Sequence, residues 1–243
     1  MIILYKKEIR LFVGSIFGPL IIGIFLLVNS LILWSDISQA NILDNAYASM
    51  DVFFVFSPFL FLIFIPAISM RTFSEEYRTG TIETLLTKPI SEFQIVISKF
   101  LAILSLVIAS IIPTFLYVIS IYFLGENIGN LDLAGIFGSY IGLFMITCIF
   151  TSIGIFASSI SENQITAFIF GIIISAFFYF GFDAISNIQI LQSFNLLLKK
   201  IGISYHYNIM SKGLILISDV IYFLSISFLF LKLSEFIILR KNK

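Results

Sequence analysis

Residues 71–99 read RTFSEEYRTGTIETLLTKPISEFQIVISK, and long apolar runs flank them on both sides. The stretch holds four of the chain's 14 basic residues (Arg71, Arg78, Lys88, Lys99) and four of its 14 acidic ones (Glu75, Glu76, Glu83, Glu92). A charge at the centre of a bilayer costs about 2.5–3.5 kcal/mol on insertion scales. An island this polar between two apolar runs therefore has to sit in water. It is too short for a domain and too patterned for a plain loop. The chain reads as a membrane protein with a structured aqueous connector.

Composition agrees. The 243 residues are 59% hydrophobic and 12% charged, against about 45–50% apolar and about 25% charged in soluble domains. Net charge is zero, which gives no reason to expect a nucleic-acid partner. A single cysteine, Cys148, excludes an intramolecular disulfide and a CxxC metal site, and in an apolar run it acts as a small hydrophobe. No G-x-x-x-x-G-K-[ST], H-E-x-x-H or G-x-S-x-G occurs, nor a histidine pair. Any ATP chemistry is therefore expected on another polypeptide, with no cofactor or metal on this one. Lys6, Lys7 and Arg10 resemble the start of a signal peptide, but the following apolar run is longer than an h-region and lacks an A-x-A site. The first span is expected to be retained.

A spanning helix needs about 20 mostly apolar residues. Six segments qualify, near 12–34, 52–70, 100–124, 133–158, 165–187 and 214–238. The expected fold is an all-α membrane protein, a single transmembrane domain over 1–243 with no clear repeat. Cytoplasmic loops are enriched in Lys and Arg. With both termini inside, 11 basic residues fall on the cytoplasmic side and three (Lys199, Lys200, Lys212) outside. The first outer loop, 35–51, carries Asp36, Asp44 and Asp51 and no basic residue. Lys199 and Lys200 sit against the rule. Segment 184–213 contains LQSFNLLLKKIGI, too short to span, and reads as short re-entrant or interfacial helices broken at Gly202. Gly135, Gly138, Gly142 and Gly154 in the fourth span imply close packing there, with Gly138-x-x-x-Gly142 and Gly14-x-x-x-Gly18 as small-residue motifs.

Within the island, the second span is expected to run on through Arg71–Arg78 to a left-handed stop at Gly80. Thr81 suits an N-cap for a short helix over Ile82–Thr87. Ile82, Leu85 and Leu86 fall on one face, with Glu83 off it. Pro89 ends this helix at Lys88. Ser91 and Gln94 match a capping box that opens the next helix. The apolar face suits a groove on a soluble partner, with Glu75, Glu76, Arg78 and Lys88 on the rim; the alternative is a turn lying on lipid headgroups.

Elsewhere, Lys6, Lys7 and Arg10, with Ile2, Ile9 and Phe12 free for lipid, suit an interfacial arm or simple positive-inside anchoring. Asp183 and Asp219 lie near the outer ends of the last two apolar segments, where water and Lys212 are near, and read as structural or interfacial. His206, alone in ISYHYN, is a poor metal site and reads as an ordinary interfacial residue, with Tyr205 and Tyr207 in the aromatic belt. Glu126, Asp132 and Glu162 read as solvated loop residues.

The pattern E-E-x-x-x-G-T-I-E-x-L-L-x-x-P-x-S, here Glu75 to Ser91, resembles the signature of ABC-2-type transporter permeases. The basic arm, the apolar segment before the last span, and the ending from Gly202 to Lys241 are similar to that family as well. NILDNAYASMDVFF (41–54) and IPAISMRTFSEE (65–76) are similar to the gliding-motility-associated permease, the F component of its system. The resemblance implies a bacterial inner-membrane permease subunit, an exporter by family habit, working with a separate ABC ATPase and a second permease chain. It implies that Glu75, Glu76, Gly80, Thr81, Glu83, Leu85, Leu86 and Pro89 form the ATPase-coupling element, in which glycine and proline set turns, leucines dock and carboxylates orient. It also implies that the Lys6–Arg10 arm touches the ATPase. A motility or secretion scaffold regulated by an ATPase is the alternative. A lipid-modifying enzyme is disfavoured by the lack of clustered His, Asp or Glu at one depth.

Overall fold

The computed structural model describes residues 1–35, 41–42, 49–125 and 129–241. Asp36, Asp44 and Glu126, named above, lie outside them. The described residues form helices and no strands, and six helices are long and apolar enough to cross a membrane: Phe17–Trp34, Asp51–Thr79, Glu92–Leu124, Leu133–Ile160, Gln164–Ser186 and Ile217–Lys241. We number the elements α1 (Ile2–Val13), α2 (Phe17–Trp34), α3 (Asp51–Ser69), α4 (Arg71–Thr79), α5 (Thr81–Leu86), α6 (Glu92–Ile111), α7 (Phe115–Leu124), α8 (Leu133–Ile160), α9 (Gln164–Ala176), α10 (Phe182–Ser186), α11 (Asn195–Ile201), α12 (Ile203–Met210) and α13 (Ile217–Lys241).

The first span begins at Phe17 rather than near residue 12. Helix α1 closes with the Gly14 amide on the Arg10 carbonyl, and the Ser15 hydroxyl donates to the Phe12 carbonyl. A Cβ at Gly18 would lie 2.4 Å from that same carbonyl oxygen. The chain therefore turns where the hydropathy runs on, and α1 folds back against α6.

Helix α8 is the hub, packed against α3, α6, α9, α12 and α13. Its small residues receive the neighbours. A Cβ at Gly138 would meet the Met210 carbonyl oxygen at 2.1 Å, and one at Gly142 the Tyr207 ring at 2.8 Å. At Gly154 it would meet the Ser69 hydroxyl at 2.0 Å. Gly138→Val is therefore expected to lose about 1–3 kcal/mol through overpacking against backbone that has no way to yield. Gly23, with nothing within 4 Å, gives the opposite sign: Gly23→Ala is expected to gain up to about 1 kcal/mol of helix propensity. Thermal unfolding in detergent, run on both variants, checks the pair.

Pro58 lies inside α3 and leaves the Phe54 carbonyl without its helical donor. The Tyr207 hydroxyl of α12 supplies the bond at 2.7 Å. This satisfies a backbone group that lipid has no means to satisfy. Segment 184–213 forms short helices, as expected, with an extended break at Gly202 (φ −78°, ψ 139°) between α11 and α12.

His206 departs from expectation, and Asp219 takes the structural side of its reading. Neither is interfacial in character: they are 8% and 2% exposed. His206 Nδ1 lies 2.7 Å from Asp219 Oδ1, and its Nε2 lies 2.7 Å from the Lys200 carbonyl oxygen. A carbonyl only accepts, so Nε2 carries a hydrogen, and the imidazole joins α11 to α13 from its place on α12. Lys212 is not the partner of Asp219. The Tyr222 ring stacks on the imidazole at 3.9 Å, and its hydroxyl bonds the Ile201 carbonyl.

Candidate coupling site

Helix α4 continues the line of α3 across a joint at Met70. The first amides of a new helix lack intrahelical acceptors. Here the cap comes from another helix: the Ser158 hydroxyl of α8 accepts from the Phe73 and Ser74 amides at 3.0 and 3.1 Å and donates to the Met70 carbonyl at 3.0 Å. One side chain thus fixes the angle at which the polar island leaves the bundle.

Gly80 ends α4 with φ +70°, the left-handed stop the sequence calls for. It also serves as the N-cap of α5, so Thr81 lies inside that helix rather than capping it. The Thr81 hydroxyl pairs with the Thr79 hydroxyl at 3.0 Å and reaches no helix amide. Pro89 is exposed in the turn after α5. Ser91 and Gln94 form the expected capping box, at 3.3 and 3.4 Å.

The apolar face of α5 does not point outward. Ile82 and Leu85 are 7% and 6% exposed and belong to the core, and Leu86 is half-buried against it. The reason is packing: α5 lies back on α4, and burying the two side chains is worth about 1.5–3 kcal/mol each. What α5 shows to water is Thr81, Glu83, Thr84 and, just beyond, Thr87 and Lys88. Beside it lies a cavity of about 520 Å³ lined by Tyr77, Gly80, Ile82, Glu83, Leu86, Glu162, Ile238 and Lys241. Lys241, from the last helix, crosses the Tyr77 ring at 4.1 Å and donates to the Ile160 carbonyl at 3.0 Å.

Behind this surface, Lys99 is 1% exposed. Its ammonium donates to Glu76 Oε1 at 2.9 Å, Glu8 Oε1 at 3.2 Å and the Thr72 carbonyl oxygen at 2.7 Å. An ammonium has three donors, and all three are used. The Phe73 ring stands 4.9 Å from Nζ. Lys7 lies 3.8 Å from both carboxylates, so two cations face two anions. The cluster ties α1, α4 and α6 at one end of the bundle.

This changes the reading of the arm. Leu4, Glu8 and Phe12 are buried and Ile9 is half-buried, so Phe12 is not free for lipid. Lys6 and Arg10 are exposed, and Lys7 turns to the cluster. Of the expected coupling carboxylates, Glu76 is internal, Glu75 is half-buried and Glu83 is exposed. Glu8 and Lys99 were not singled out from the sequence as a pair. A signal was present: Ile95, Val96, Lys99 and Ile103 share one helical face, and a cation in an apolar stripe needs an anion.

Residues 6–238 match the family described as ABC-2 family transporter protein. The chain belongs to this family. It is a membrane permease component of an ABC transporter, a transport part and not itself a catalyst. A comparison with curated proteins finds none that matches it. The polar island between the second and third spans is structured and joined to the bundle through Ser158 of α8 and Lys99 of α6.

Proposed function

We propose that this permease drives export by receiving the motion of a separate ABC ATPase on α5. The observation that supports this is the Glu8–Lys99–Glu76 cluster. It makes α1, α4 and the start of α6 one rigid block, so a push on α5 is passed to the second and third spans rather than absorbed. Ile82 and Leu85 fasten α5 to that block. Docking then falls to the exposed Thr81, Glu83, Thr84 and Lys88 and to the adjoining cavity, with Leu86 at its wall. Gly80 and Pro89 set the turns on either side, and the half-buried Glu75 of α4 and the exposed Lys6 and Arg10 of α1 lie on the helices that the cluster joins. ATP is bound by the partner, and its binding and release shift the permease between two openings.

In this reading both termini and the island face the cytoplasm of a bacterial inner membrane. A second permease chain, identical or paralogous, completes the path against the poorly covered α2, α9 and α13 faces. The link to gliding motility rests on residues 41–54 and 65–76 alone. The test is co-purification with the cognate ATPase from detergent. Glu83→Arg/Thr84→Arg is expected to reduce retained ATPase at least about tenfold, a loss of roughly 1.4 kcal/mol, with an unchanged melting profile. Full retention by this variant would sink the reading.

A further inference from the structure

The far end of the bundle holds a second mixed cavity, also of about 520 Å³, within the usual range of about 300–1,000 Å³ for ligand pockets. One wall is aromatic. Phe59 of α3 stands 5.2 Å from Phe180 and 6.2 Å from Tyr179. Phe59 and Phe180 remain 44% and 38% exposed. Tyr179 and Phe180 lie in a single wide π-turn, Phe177–Gly181, between α9 and α10. Such turns in otherwise regular helices are frequent at functional sites. The opposite wall is charged, with Lys199 of α11, Lys212 just after α12 and Asp183 of α10, and with Asn208 beside them.

Two features separate this wall from ordinary surface. The buried charges Lys99 and Asp219 are paired within the chain. Among the described residues, Lys199, Lys212 and Asp183 form no ion pair, yet all three face one cavity. Lys199 and Lys212 are also two of the three basic residues that break the expected charge asymmetry of the loops. The fold holds α11 in place from behind, through His206 on the Lys200 carbonyl. Two ammonium groups and one carboxylate above an exposed aromatic wall complement a head that carries phosphate and a tail that is apolar.

We propose that this cavity binds a phosphate-bearing amphiphile of the phospholipid type. Lys199 and Lys212 hold the phosphate by charge-assisted hydrogen bonds. Asp183 accepts from an amino or hydroxyl group of the same head. The acyl chain leaves over Phe59 and Phe180 into the surrounding hydrocarbon. A cationic amphiphile is disfavoured, since it meets two ammonium groups.

The site stands independently of the ATPase reading. The test is native mass spectrometry of the full chain, delipidated in detergent and titrated with dilauroyl phosphatidylglycerol, dilauroyl phosphatidylethanolamine or glycerol 3-phosphate alone. One lipid is expected to stay on the wild type. Lys199→Gln/Lys212→Gln is expected to bind both lipids at least about tenfold more weakly, since it removes both charge-assisted hydrogen bonds to the phosphate. Arg240→Gln, exposed at the opposite end of the bundle on α13, is expected to leave binding unchanged. If the double variant melts early, the single Lys212→Gln, at an exposed position, carries the same expectation in weaker form. Undiminished lipid binding by the Lys variants overturns the proposal. Glycerol 3-phosphate binding as tightly as the lipids also overturns it, since the ligand is then a free phosphate and the aromatic wall is idle.

Discussion

Lys99→Met is expected to destabilise the protein by about 3–5 kcal/mol, the cost of leaving a buried charge without its partner. Methionine is close to lysine in bulk and one atom shorter, so most of the apolar packing is kept and the loss is chiefly electrostatic. Glu8 and Glu76 both place Oε1 within 3.2 Å of the removed nitrogen, and the substitution leaves two carboxylates sharing one dry site. Lys7 offers little relief. It is 3.8 Å away with its side chain half exposed, and an exposed ion pair is worth at most about 1 kcal/mol. The Glu76 Oε2 atom is already buried without a hydrogen-bond partner, which adds to the strain on an unpaired anion. The neutralised variant Glu8→Gln/Glu76→Gln/Lys99→Met is expected to recover most of the loss. Thermal unfolding in detergent reads both. Equal melting of the single and triple variants would show that the cluster is not what holds α1 to α4 and α6. On the coupling reading, the triple variant also separates stability from function: it folds, but transmits less of the ATPase stimulation to transport.

His206→Phe is the second large effect. Phenylalanine keeps the stack on Tyr222 but strands Asp219, which is 2% exposed and has Oδ2 already without a partner. A loss of about 3–5 kcal/mol is expected. Asp219→Asn is expected to cost far less. A neutral imidazole still donates from Nε2 to the Lys200 carbonyl, and the new amide donates to Nδ1. His206→Phe/Asp219→Leu removes both partners and is expected to return much of the stability, because the desolvation cost leaves with the charge. A double-mutant cycle measures the coupling. A coupling energy near zero would mean that the short contact does not hold α12 to α13. Because His206 also fixes α11, the His206→Phe variant is expected to loosen the phosphate site as well, through the position of Lys199 rather than through its charge.

Much of the architecture was legible because membrane folding constrains it strongly. Apolar runs of about 20 residues leave few alternatives to helices. Six spans, the left-handed Gly80, the capping box at Ser91 and Gln94, and the break at Gly202 all follow from local rules, and the structure has each of them. The family could be read from Glu75–Ser91 for the same reason: a turn glycine, an amphipathic short helix and a proline stop are local features with fixed spacing.

Other elements were not legible, and in each case a long-range contact decided. The face of α5 was expected outward because Ile82, Leu85 and Leu86 repeat at helical spacing, but spacing defines a face without saying which way it turns. Thr81 had the chemistry of a cap, yet Gly80 took the position. Phe12 looked lipid-facing until the turn at Gly14–Ile16 folded α1 onto α6. His206 and Asp219 each read as lone residues, Lys99 reads only as a charge of the polar island and Glu8 carries no reading at all, because partners 13 and 91 residues apart in the chain leave no periodic trace. The sequence by itself determined that this chain is a six-helix membrane protein with a structured polar connector, since hydropathy and turn chemistry are properties of neighbours in the chain. Which charges are buried together, which face of the connector meets water, and where Lys199, Lys212 and Asp183 converge were decided by tertiary structure, because a buried charge is tolerated only where folding brings its counter-charge, and which side chains line one cavity depends on how helices distant in the chain pack.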